Sequence, residues 1–181
     1  MSDFRRITIF SGGQTGADRA ALDFAIANGL AHGGWCPRGR LAEDGPISDR
    51  YALRETPGRR YAQRTEWNIR DSDATLVLSI AAAPQGGTQL TRELAARLGK
   101  PVLHLSRRQL AIEAQTIEGG DSDADEVELA AARLRRFLAE YHVRILNVAG
   151  PRASQEADVA AFVEGTLSRA FNIGEKASAT V

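Results

Sequence analysis

A single cysteine, Cys36, rules out an intrachain disulfide and a cysteine-rich metal site anywhere in the 181 residues. It ends a short strand-like run, Gly33-Gly34-Trp35-Cys36, where a small buried side chain is the expected use. Net charge is missing as well. The 23 lysines and arginines balance 23 aspartates and glutamates, so no global excess points to nucleic acid or to a membrane surface. No apolar stretch approaches the length of a membrane span, and no apolar core follows Met1-Ser2-Asp3-Phe4-Arg5-Arg6, so a cytoplasmic chain is expected. His32, His104 and His142 show no metal-ligand spacing, no serine sits in a nucleophile elbow, and no metal site is expected.

What is present alternates between strand and helix. Ile7 to Phe10, Ala74 to Ile80, Val102 to Leu105 and Val143 to Val148 are short continuous runs of β-formers, as in parallel strands covered on both faces. Helical patterns fall between them, including Gln89 to Leu98, Glu126 to Tyr141 and Glu156 to Phe171. The fold class expected is therefore α/β: one domain over residues 1–174, a doubly wound parallel sheet with helices on both faces, and a frayed tail at 175–181. The small-residue faces of the last two helices suit close packing, and a homodimer or homotetramer is expected.

Two glycine-rich turns stand between a strand and a helix. Ser11-Gly12-Gly13-Gln14-Thr15-Gly16-Ala17-Asp18 follows the first strand, and Ala83-Pro84-Gln85-Gly86-Gly87-Thr88 follows Ala74 to Ile80. Glycine lets backbone N–H groups approach an anion, and the first turn of a helix has unpaired N–H groups at its positive end. Neither turn is a P-loop or G-x-G-x-x-G, but two such units in one parallel sheet open at the same carboxyl edge. Asp18 complements the helix dipole at its position, and Trp35 and Trp67 read as core or interface aromatics.

The segment Pro37 to Gln63 is long and irregular, and lysine is absent from 38–64. Seven arginines (Arg38, Arg40, Arg50, Arg54, Arg59, Arg60, Arg64) face four carboxylates there. Arginine's planar fork suits phosphate or carboxylate, and a salt-bridged surface is the other use of such a pattern. Glu118 to Asp125 reads as a solvated acidic loop before a helix, since its glycines precede its carboxylates and no EF-hand results.

Ser11 to Asp18, Trp35-Cys-Pro-Arg-Gly-Arg40 with Glu43-Asp44-Gly45, Thr65-Glu-Trp-Asn68, Asp71 to Thr75, Pro84-Gln-Gly-Gly-Thr88 and Asn147-Val-Ala-Gly-Pro-Arg152 together resemble the molybdenum cofactor carrier family. The resemblance spans nearly the whole domain and places it in a wider Rossmann-like group with the lysine-decarboxylase-like phosphoribohydrolases and DNA-processing protein A. It implies a homo-oligomer that binds molybdopterin-type cofactor without catalysis, protecting it or delivering it to molybdoenzyme acceptors.

Molybdopterin ends in a phosphate monoester, so the partner expected is a small phosphate-bearing ligand. Its contacts are expected from Gly12, Gly13, Gln14, Thr15, Gly16, Arg38, Asn68, Gly86, Gly87, Thr88 and Arg152. The alternative is a nucleoside-monophosphate phosphoribohydrolase. Those enzymes carry Pro-Gly-Gly-x-Gly-Thr-x-x-Glu, whereas here Thr91 stands where the Glu is expected and Glu93 lies further round the helix. Nucleic-acid binding is disfavoured by the neutral charge.

Overall fold

A computed structural model describes residues 4–83, 85–115 and 122–172. In chain order, a short 3-10 turn at Phe4–Arg6 leads into β1 (Thr8–Phe10), α1 (Ala17–Ala27), β2 (His32–Gly33) and β3 (Trp35–Cys36). Then come β4 (Leu41–Ala42), β5 (Gly45–Pro46), β6 (Arg54–Glu55), α2 (Tyr61–Arg70) and β7 (Ala74–Ser79). The rest comprises α3 (Gly86–Arg97), β8 (Val102–Ser106), α4 (Arg107–Gln115), α5 (Ser122–Glu140), β9 (Ile145–Ala149) and α6 (Val159–Ala170). No helix among the described residues is long and apolar enough to cross a membrane.

Five strands form one parallel sheet in the order β2-β1-β9-β7-β8. The crossover through α1 steps outward on one side and the crossover through α3 on the other, so right-handed connections put these two helices on opposite faces. α1 packs on α6, α6 on α5 and α5 on α4 as one layer, while α2 packs on α3 as the other. This is the expected doubly wound, Rossmann-like arrangement, and its central strands are buried on both sides. Ile9, Leu76, Leu78, Leu146 and Val148 carry the core of the sheet. Leu134 and Leu138 of α5 and Val163 and Leu167 of α6 are spent in the same core.

Several boundaries differ from the sequence reading. The run Gly33 to Cys36 divides at Gly34: β2 joins the main sheet, and β3 pairs with β6 in a separate ribbon. Gly34 has φ +126°, and a Cβ there would strike the Ser11 carbonyl, so the chain turns where only glycine fits. α5 begins at Ser122, so Ser122 to Asp125 are helical rather than loop. Residues 116–121 and the tail at 173–181 lie outside the described residues, as does Pro84 of the second turn.

The segment from Pro37 to Gln63 is a small lobe with its own core: Cys36, Ile47, Tyr51 and Leu53 close on Leu22 of α1. Arg40 fastens it from within, donating to the carbonyls of Ile47 (2.8 Å), Ser48 (2.8 Å), Tyr51 (3.0 Å) and Leu53 (3.2 Å). Arg19 of α1 pairs with Asp44 at 2.5 Å, and Asp23 of α1 pairs with Arg50. Much of the arginine excess is therefore structural.

Candidate functional site

Because the strands are parallel, Phe10, Ser79 and Ala149 end at one edge, and the segments leaving them converge there. Between α2, the first turn of α3 and the segment after β9 lies a slot of about 80 Å³. Asn147 and Ala149 line it from β9; Gln14 and Asp18 come from the first glycine turn and α1; Gly87, Thr88 and Thr91 come from α3. Tyr61, Arg64, Thr65 and Asn68 share one stripe of α2, spaced i, i+3, i+4, i+7, and Arg152 and Gln155 complete the lining.

Asp18 is 2% exposed and does more than complement a dipole. Its Oδ2 accepts from Arg64 Nη1 at 2.7 Å and from the Gln14 N–H at 3.3 Å, a nearly buried ion pair facing the slot. Gln14 is 5% exposed. Its Oε1 accepts from the N–H groups of Thr15 (3.0 Å) and Glu43 (2.9 Å), but its Nε2 has no partner, and neither has Arg64 Nε. A buried amide with idle protons costs about 1–3 kcal/mol unless something accepts them.

The expected contacts separate into those that reach the slot and those that serve the chain. Gly12 makes room for Arg64, whose guanidinium occupies the place a Cβ would take. Gly13 points the other way, its missing Cβ lying 2.6 Å from Leu53 Cδ1 and 3.1 Å from Ile47 Cδ1. Gly16 abuts the Pro151 carbonyl, 2.5 Å from where its Cβ would be, and the Ala17 N–H donates to that same carbonyl at 3.1 Å. The first glycine turn is thus largely used by the protein itself.

Asn68 lines the slot, yet its amide is spent on the Trp35 backbone, accepting at 2.8 Å and donating at 2.9 Å. Arg38 is exposed on the lobe and does not line the slot. Thr15 does not line the slot either; its hydroxyl is bonded to Glu43 and accepts from the Ala153 N–H at 3.1 Å. By contrast the second turn is open: Gly86 and Gly87 are exposed, and nothing lies within 4 Å of a Cβ on Gly87. α3 starts at Gly86 rather than three residues later; Gly86 does not line the slot and the Thr88 N–H donates to the Gln85 carbonyl at 3.1 Å, which leaves Gly87 as the open first-turn position lining it.

Arg152 sits at the mouth, its guanidinium 5.7 Å from the Tyr61 ring centre and its Nε 3.8 Å from Glu43. Glu43 also accepts from Ser154 Oγ at 2.5 Å, and these hydroxyl bonds hold its carboxyl below the usual carboxylate range. Trp35 and Trp67 meet edge to face at 4.7 Å away from the slot, with Arg54 and Arg70 over their rings. Burial pushes the Cys36 thiol up and leaves it inert in the lobe core.

Sequence reasoning passed over Arg64, Thr91, Asn147 and Gln155 as slot residues; the four-residue stripe on α2 was the signal available for Arg64. A second space, about 550 Å³, adjoins the slot at Gln155 and runs between the β7–α3 turn and the segment before α6. Ser79 lines it and meets His104 Nε2 at 2.8 Å, but its hydroxyl proton goes to the Ala81 carbonyl at 2.9 Å, so His104 donates. Burial pushes His104 down, which favours that neutral form, and the pair buttresses a turn rather than activating a nucleophile. Among the described residues no cluster of His, Cys, Asp and Glu could hold a metal ion.

No curated protein matches the chain at a significant level. A solved structure from Syntrophus aciditrophicus SB, described as a "putative molybdenum carrier protein", is 40% identical, with a TM-score of 0.77 over 91% of this chain and 93% of that one. The model of the circularly permutated YpsA SLOG family matches residues 9–171. With that span running from β1 past the end of α6, the chain belongs to the circularly permutated YpsA SLOG family.

Proposed function

We propose that this protein is a binding protein for molybdenum cofactor, holding it by its terminal phosphate for protection or delivery. The observation that carries this reading is the unpartnered Gln14 Nε2, buried in a slot that the open N-terminus of α3 also faces. At about 80 Å³ the slot is well below the roughly 300–1,000 Å³ of ordinary ligand pockets and suits one tetrahedral oxyanion rather than a fused ring. Arg152 adds a cation at the mouth, and Arg64 neutralises Asp18 so that an anion is not repelled. The name of the Syntrophus aciditrophicus structure supports molybdenum cofactor among phosphate-bearing ligands. Gln14, Gly87, Thr88 and Arg152 would hold the cofactor by its terminal phosphate.

The hydrolase alternative has less support. Thr91 Oγ1 donates to the Gly87 carbonyl at 2.9 Å, the slot does not accommodate a ribose, and Asp18, its carboxylate, is tied to Arg64. Mass spectrometry of small molecules released from protein purified without oxygen tests the proposal. Molybdopterin or its oxidised fluorescent products are expected, and an unrelated ligand recovered in stoichiometric amount would overturn it.

A further inference from the structure

We propose that the cavity of about 550 Å³ beside the slot reads the 2-amino-4-oxopyrimidine edge that pterins and guanine share, with Glu156 as the acceptor. The inference rests on the phosphate-binding reading of the slot and adds where the fused ring goes. The slot is too small for a ring system, whereas the adjoining cavity falls within the usual range of about 300–1,000 Å³ for ligand pockets. Gln155 stands between the two spaces. It is exposed, and its side-chain oxygen is held by a long bond from the Arg152 N–H at 3.4 Å, so a ligand spanning both spaces displaces it at little cost.

The chemistry of the lining selects the edge. The Glu156 carboxylate is fixed in place by the N–H groups of Ile80 (2.5 Å) and Ala81 (3.1 Å), and no lysine or arginine pairs with it among the described residues. Each carboxylate oxygen accepts more than one hydrogen bond, so the group retains capacity toward the cavity. An adjacent ring N–H and exocyclic amine form the donor pair that a carboxylate takes in bidentate fashion. Arg108 lines the same cavity; its N–H donates to the Ile80 carbonyl at 3.1 Å while its guanidinium has no hydrogen bond or ion pair among the described residues, and a guanidinium suits the 4-oxo group. Ile80, Ala81, Pro151 and Ala157 supply apolar surface for the ring faces. Adenine presents a bare ring nitrogen where guanine carries N–H, and that lone pair meets the carboxylate unfavourably.

Calorimetric titration of the full chain with GMP, IMP, AMP, 6-hydroxymethylpterin monophosphate and inorganic phosphate tests this. GMP and the pterin phosphate are expected to bind about ten- to a hundredfold more tightly than IMP, which lacks the 2-amino group, and AMP. Whichever of the two binds tighter identifies the ring the cavity serves. Glu156→Gln removes the preference, but it also disturbs the Ile80–Ala81 turn. Ala157→Trp is therefore the second variant: it fills the cavity from an exposed position and is expected to abolish ring selectivity while inorganic phosphate binds as before. Equal affinity for GMP and IMP, preference retained in Ala157→Trp, or no binding of any ring-bearing probe overturns the inference. If inorganic phosphate binds normally and the ring series is flat, the slot reading survives; if phosphate also fails to bind, that reading falls as well.

Discussion

The Arg64 guanidinium lies where a side chain on residue 12 would be, so the absence of a Cβ at Gly12 is what allows Arg64 to reach Asp18 at 2.7 Å. Gly12→Ala should push the guanidinium aside, leave Asp18 buried without its cation and cost about 1–3 kcal/mol of stability. Phosphate affinity should fall with it, because an uncompensated carboxylate would then face the slot. Thermal melts paired with phosphate titration check this, and unchanged affinity in a destabilised variant would separate the ion pair from binding.

Gly13 behaves differently. Its missing Cβ faces Leu53 and Ile47 at φ +75°, so Gly13→Ala strains the backbone by about 1–2 kcal/mol and loosens the lobe. Phosphate affinity measured well below the melting temperature should stay within about twofold of the parent, since less than 0.5 kcal/mol reaches the slot. A tenfold loss in a folded Gly13→Ala protein would show that the first glycine turn itself holds the anion.

Gln14→Glu preserves the acceptor that serves Thr15 and Glu43 while exchanging the idle amide for an anion. Phosphate affinity should drop by at least about tenfold, the lower part of the range for a charged hydrogen bond lost and a repulsion gained. Unaltered affinity, with the fold intact by circular dichroism, would remove the observation on which the proposed function stands.

Arg152 and Arg38 answer as a pair. Arg152→Ala should weaken phosphate binding about tenfold and flatten its salt dependence, whereas Arg38→Ala, outside the slot, should change neither. Equal losses in both variants would mean that the lobe folds over the ligand.

Acid should release the lobe before the core. Glu43 bonds to Ser154 and Thr15 and lies near Arg152, and its pKa is depressed. The contribution is complete above the ordinary carboxylate pKa and is lost as the pH falls through the lowered value, so the sign is loss on acidification. Hydrogen exchange of residues 41–47 is expected to accelerate below the ordinary carboxylate range while β7 and β9 stay protected. Uniform acceleration would indicate global unfolding instead.

The parallel α/β fold was legible because four β-rich runs and their intervening helices have distinct periods, and burial on both faces keeps those runs continuous. The lobe was not: β3 to β6 are two residues each, and such pairs carry no periodic signal. At the site, Gln14, Thr88 and Arg152 were readable from their turns and do line the slot. Which way each glycine faces was not readable, because it depends on partners far along the chain: Leu53 against Gly13, and Pro151 against Gly16. The spacing of Tyr61, Arg64, Thr65 and Asn68 places Arg64 on one stripe of α2, but its partner Asp18, 46 positions earlier, carries no local signal.

The last strand among the described residues, β9, lies in the middle of the sheet between β1 and β7. Until it is made, β2-β1 and β7-β8 are two separate ribbons, each with an unsatisfied edge, and the slot has neither Asn147 nor Arg152. The lining of the slot and the five-stranded sheet are therefore completed together, since Asn147 and Arg152 join Gln14, Arg64 and the start of α3 only once β9 is in place. Closing a sheet across 137 positions, as Ser11 does when its hydroxyl donates to the Val148 carbonyl at 2.7 Å, is slow by topology. It also makes the full lining of the slot conditional on a finished sheet, which follows from the strand order alone.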